Sequence, residues 1–65
     1  MTLREFLNTC QNDWEGIKIY MSEDEWDNLE TNLEYTDMRQ IPNMYLKSSV
    51  DAWILDVNFV IHVLI

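Results

Sequence analysis

The stretch "VDAWILDVNFVIHVLI", residues 50–65, decides the fold. Val50, Ala52 and Ile54 alternate with Asp51, Trp53 and Leu55. Beyond "DVN", Phe59, Ile61, Val63 and Ile65 alternate with Val60, His62 and Leu64. A period of two is strand spacing, so this stretch predicts two strands joined by a tight turn. The turn contains no Gly, which leaves its type open. Both faces of the last strand are apolar apart from His62, so it is either central and covered or awaiting a partner. Asp51, Asp56, Asn58 and His62 interrupt the segment, which falls short of the roughly 20 continuous apolar residues of a membrane helix.

Further strand and helix signals lie upstream. In "GIKIYMS", residues 16–22, Ile17, Ile19 and Met21 alternate with Lys18 and Tyr20, and the β-branched residues suit a pleated surface. Before it, Thr2 and Glu5 have the spacing of a capping box. Leu3, Phe6, Leu7 and Cys10 follow at i, i+3, i+4 and i+7, one apolar helix face, with Asn12 and Asp13 ending the helix. Ser22 and Glu25 repeat the capping box, and Trp26, Leu29 and Leu33 recur at helical spacing. Asn28, Thr31, Asn32 and Tyr35 are weak helix formers, so this second helix frays or stops near Glu30, leaving "TNLEYTD" as a loop or short extended piece. Pro42 opens a helical turn at "PNMYL". The expectation is one α+β domain over residues 1–65, ordered α-β-α-β-β, with a small antiparallel sheet packed by the N-terminal helix.

Composition agrees with a small globular domain. Of 65 residues, 48% are apolar and three are Trp, with one Gly and one Pro, which leaves no room for a linker. A chain this short buries only about 60% of the surface its unfolded form exposes. Cys10 stands alone, so no internal disulfide forms. Its place on the apolar stripe marks it as a small core hydrophobe rather than a reactive thiol. A lone thiol, and a start too short in apolar residues for a signal peptide, predict a soluble protein in a reducing cytoplasm.

The net charge is −8, and seven of the twelve acids fall in "SEDEWDNLETNLEYTD", residues 22–37, which has no Lys or Arg. They are Glu23, Asp24, Glu25, Asp27, Glu30, Glu34 and Asp37. On a continuous helix, Glu23, Asp27, Glu30 and Glu34 form a stripe at i, i+4, i+7 and i+11 beside Trp26 and Leu29. Like charges at i, i+4 oppose helix formation, although Glu23, Asp24 and Glu25 gain from the helix dipole. Such a surface repels phosphates and attracts a basic partner. Its bland counterpart is a solvated face that keeps a small protein in solution. Trp14, Trp26 and Trp53, with Tyr20, Tyr35 and Tyr45, exceed what one small core absorbs unless the three Trp make up that core. Trp26 and Tyr35 border the acids and are candidate anchors.

No chemistry is signalled. "EDEWDNLE" lacks the Gly and the alternation of a calcium loop, His62 has no nucleophile placed near it by motif, and a carboxylate dyad needs a cleft. The chain is expected to be non-enzymatic, with no catalytic residue, metal or cofactor. In its small size, acidity and absence of motifs it resembles small phage- and mobile-element-encoded proteins, including inhibitors of the anti-CRISPR type. That resemblance is one of general style and carries over no residue. It implies an inhibitor that occupies the nucleic-acid-binding surface of a partner in the host cytoplasm, imitating a row of phosphates. On the residues themselves, the predicted partner surface is Glu23, Asp24, Glu25, Trp26, Asp27, Glu30, Glu34, Tyr35 and Asp37. The alternative is a structural homo-oligomer, a homodimer or larger, assembled through the apolar C-terminal strand.

Overall fold

A computed structural model describes residues 1–9 and 14–65. Along the chain it has α1 (Leu3–Thr9), β1 (Gly16–Tyr20), α2 (Glu23–Asn28), β2 (Leu33–Tyr35), a 3-10 turn (Met38–Gln40), α3 (Asn43–Leu46), β3 (Ala52–Leu55) and β4 (Val60–Leu64). The expectations for Cys10, Asn12 and Asp13 lie outside the described residues.

The α+β class holds, with one correction to the sheet. Its strand order is β2-β1-β4-β3, and it is mixed rather than antiparallel. β1 pairs antiparallel with β2 and β4 antiparallel with β3, but the two central strands run parallel, with Ile17 opposite Ile61 and Ile19 opposite Val63. Parallel neighbours need a long connection, and everything from α2 to β3 supplies it. Strands apolar on both faces belong in a sheet interior. β4 therefore takes the centre, and the open edge passes to β3.

Ile17, Ile19, Ile61 and Val63 face one side, where Leu3, Phe6 and Leu7 of α1, Leu46 of α3 and Ile41 complete the core. The Thr2–Glu5 box forms: Thr2 N–H donates to Glu5 Oε1 at 2.9 Å, and Glu5 N–H donates to Thr2 Oγ1 at 3.2 Å. These bonds to Thr2 hold the Glu5 carboxyl below its usual range. Leu3 N–H donates to Ser48 C=O and Val50 N–H to Met1 C=O, which fastens α1 to the chain leaving α3. Among the described residues, no helix is long and apolar enough to cross a membrane.

The Gly-free hairpin turn has a definite form. Phe59 N–H donates to Asp56 C=O at 3.1 Å and Asp56 N–H to Val60 C=O at 3.0 Å, with Phe59 at φ 61°. This is a three-residue loop ending in a left-handed residue, a place Gly usually takes. Phe59 holds it at a cost of about 1–2 kcal/mol.

Candidate functional site

The acidic segment starts as its sequence implies. Ser22 is the N-cap of α2; its Oγ accepts from Glu25 N–H at 3.2 Å, and Glu25 Oε1 accepts from Met21 N–H at 2.9 Å. Glu23, Asp24 and Asp27 are exposed around this short helix, whereas Glu25 is half-buried and engaged in the cap.

The continuous helical stripe does not exist. Leu29, at φ 53°, turns the chain out of α2 after Asn28, with N–H bonds from Leu29 to Trp26 C=O and from Glu30 to Glu25 C=O closing the end. This is a left-handed helix stop, made by a Leu that the apolar spacing had assigned to the helix interior. Thr31 then donates its hydroxyl to Ile19 C=O and accepts from Leu33 N–H at 3.1 Å, delivering the chain to β2. Glu30 ends in a loop, and Glu34 sits on β2 opposite Lys18.

The four carboxylates lie on three separate pieces: Glu23 and Asp27 on α2, which packs on β1, Glu30 in the loop that follows, and Glu34 on β2. Asp37 stands apart. It caps the 3-10 turn, accepts from Arg39 N–H at 2.9 Å and pairs with the Arg39 guanidinium at 2.8 Å. The Arg39 bonds hold its carboxyl below the usual range, so its charge is already matched. Asp24, Glu25, Asn28, Glu30, Thr31 and Asn32 line an open depression of about 340 Å³.

The aromatic anchors are also placed differently. Trp26 is half-buried, packed edge-on against Tyr20 at 5.4 Å between ring centroids. Tyr35 and Trp14 pack against the core. Trp53, one of the Trp residues that could have filled the core, is 52% exposed, its inner side lying 5.0 Å from the Phe6 ring.

A polar cluster on the α2 face of the sheet was missed by sequence reasoning. Tyr20, fully buried, shares a 2.7 Å hydrogen bond with His62 Nδ1, and His62 Nε2 lies 2.9 Å from Asp56 Oδ2. An ionised carboxylate can only accept, so Nε2 carries a proton toward Asp56. In the tautomer with its proton on Nε2 alone, Nδ1 accepts a hydrogen bond from the Tyr20 hydroxyl. Asp56 Oδ1 also accepts from Asn58 and Val60 N–H. The bond from His62, then the one from Val60, hold the Asp56 carboxyl below its ordinary range. Burial pushes the Tyr20 phenol up, and the negative charges of Asp56 and Glu34 add to it. The arrangement is that of a hydrogen-bonded relay whose Tyr20 is fully buried, with Trp26 packed edge-on against its ring.

Neither a family model, a curated protein nor a solved structure matches the chain.

Proposed function

We propose that this chain is a non-enzymatic protein-binding module whose acidic end docks on a basic, nucleic-acid-binding surface of a partner protein and thereby inhibits it. One observation carries the reading. Glu23, Asp24, Asp27, Glu30 and Glu34 are all exposed, and among the described residues none has an ion-pair partner. Charge left uncompensated on one side of a compact body steers association with a surface of opposite sign. The resemblance in size and acidity to inhibitors of the anti-CRISPR type is consistent with that role, as is a hydroxyl–imidazole–carboxylate cluster used for packing rather than for turnover.

Cap and turn hydrogen bonds at Ser22, Glu25, Leu29 and Thr31 hold the backbone that carries these carboxylates, which lowers the ordering cost on binding. The spacing differs from a helical phosphate row: a short helix, a loop and a strand present charge as a patch.

The test compares immobilised wild-type chain with the quadruple variant Glu23→Lys, Asp27→Lys, Glu30→Lys and Glu34→Lys in a cell lysate. Four reversals, each worth two charges, bring the formal net charge from −8 to zero. Wild type is expected to retain nucleic-acid-binding proteins at about 50 mM salt, to release them by about 200 mM, and to lose them to added DNA or RNA. The reversed chain should retain none of them. Equal retention by the reversed chain, with its circular dichroism unchanged, overturns the proposal.

A further inference from the structure

The apolar surface that an acidic docking face does not use lies at the opposite edge of the sheet. Trp53, Ile54 and Leu55 of β3 are each about half exposed, and the turn that follows exposes Val57 and Phe59. Edge strands in soluble proteins are ordinarily guarded by Lys, Pro or a cover. Residues 52–55 contain no charge and no Pro. The turn breaks a local rule in the same place, since an exposed aromatic holds a backbone conformation that Gly would adopt without strain.

The backbone sets what can pair here. Asp56 N–H donates to Val60 C=O. In an antiparallel ladder, alternate residues turn their polar groups to the same neighbour, so Ile54 faces β4 while Trp53 and Leu55 direct N–H and C=O outward. A second β3 laid antiparallel about a twofold axis at Ile54 meets those groups in register. Trp53 then lies opposite Leu55 of the second copy, and Ile54 opposite Ile54. The segment 53–55 is thus complementary to itself and free of charge, while Ala52 falls opposite Asp56 of the second copy.

Charge distribution favours the same occupant. Two chains of net charge −8 repel one another, but the unpaired acids lie on α2, which packs on β1, on its following loop and on β2, none of them on β3. β2 and β3 are three strand spacings apart, about 14 Å, beyond the screening length of about 8 Å at physiological salt. Two copies meeting at β3 keep their unpaired α2, loop and β2 acids apart; Asp51 and Asp56 flank the contact, and Asp56 is already engaged by His62.

We infer that β3 is the interface of a symmetric homodimer, in which two copies join their sheets through residues 52–55 in the Ile54-centred register. This does not rest on the acidic docking face, and its test is separate.

The test is light scattering on the full chain across micromolar to near-millimolar concentration, with Ile54→Lys and Ile54→Cys alongside. Wild type is expected to reach twice the 7.9 kDa chain mass. Ile54→Lys, which places two like charges together at the axis, should weaken the dimer about tenfold or more while retaining the wild-type circular dichroism. Ile54→Cys should oxidise to a disulfide between the two substituted positions, assigned by peptide mass. Directly opposed residues of a non-hydrogen-bonded antiparallel pair lie about 4.5 Å apart at Cα, within disulfide range. Trp53→Cys and Leu55→Cys should not self-couple, because neither faces its own copy. A chain that stays monomeric throughout, an Ile54→Lys variant that keeps the doubled mass, or coupling at 53 or 55 in place of 54 overturns the inference.

Discussion

Tyr20 and His62, 42 residues apart in the chain, are joined by a 2.7 Å hydrogen bond on the α2 face of the sheet. Their rings also lie nearly parallel, 5.8 Å between centroids. The parallel pairing of β1 and β4 brings them together, and Trp26 of α2 packs edge-on against Tyr20. Removing the hydroxyl leaves a buried ring nitrogen without its partner. Tyr20→Phe is therefore expected to cost about 1–3 kcal/mol in urea denaturation, with the ring packing kept.

The same cluster predicts a pH profile with two limbs. The folded-state pKa of Asp56 is depressed, so its contribution is complete above the unfolded-state value and disappears as pH falls through the folded one. That of Tyr20 is raised above 10.0, so its contribution is complete below the unfolded-state value and disappears as pH rises through the folded one. Melting temperature should fall on both sides of a neutral plateau. Asp56→Asn should flatten the acid limb, with Glu5 and Asp37 supplying the remaining slope, and Tyr20→Phe should flatten the alkaline limb. Unchanged limbs in either variant would contradict the assignment.

Loss of the Ser22 cap should loosen the acidic helix selectively. Ser22→Ala removes the oxygen that accepts from Glu25 N–H, and a cap of this kind contributes about 1 kcal/mol. Amide hydrogen exchange should quicken in α2 before it does in α1, whose own box at Thr2 and Glu5 is untouched. Uniform quickening would mean that α2 does not open on its own.

Among the described residues, Leu29 and Phe59 are the positive-φ non-Gly positions, and both are exposed. Leu29→Gly should raise stability by about 0.5–1 kcal/mol, because relief of left-handed strain exceeds the added freedom of the unfolded chain. Phe59→Gly should do the same for the folded chain. Thermal melts at low protein concentration, compared with Leu29→Ala and Phe59→Ala as references, would show it. A Gly variant no more stable than its Ala counterpart would refute the strain.

Much of this architecture is written locally. Both capping boxes, the alternation of β1, the helical turn after Pro42 and the final hairpin follow from residues only a few positions apart. What escapes is what depends on distant partners. The parallel register of β1 on β4 juxtaposes two alternations that look alike whether neighbours run with or against each other, and the Tyr20–His62–Asp56 cluster exists only through that register. The hairpin turn was obscure because Phe59 occupies a Gly position.

The candidate site divides in the same way. Glu23, Asp24 and Asp27 could be placed from Ser22 and the cap. The weak helix formers after Asn28 signalled that the helix stops near Glu30 and that Glu34 lies in a short extended piece. The helical spacing of Trp26, Leu29 and Leu33 suggested instead a continuous stripe, which the left-handed turn at Leu29 breaks. Arg39, two residues beyond Asp37, was a local signal for the neutralisation of that acid. The exposure of Trp53 had no such signal, since it follows from β3 being outermost.

The strand order keeps the sticky margin and the charged one at opposite ends of each chain, and this governs valency. Two copies joined through β3 would form one eight-stranded ribbon with β2 at both extremities, seven strand spacings or about 34 Å apart. Each extremity would bring its own set of carboxylates, so a ligand with two cationic sites at that separation would be held by avidity rather than by either end alone. Severing the ribbon at its middle would then weaken capture without altering a single acidic residue.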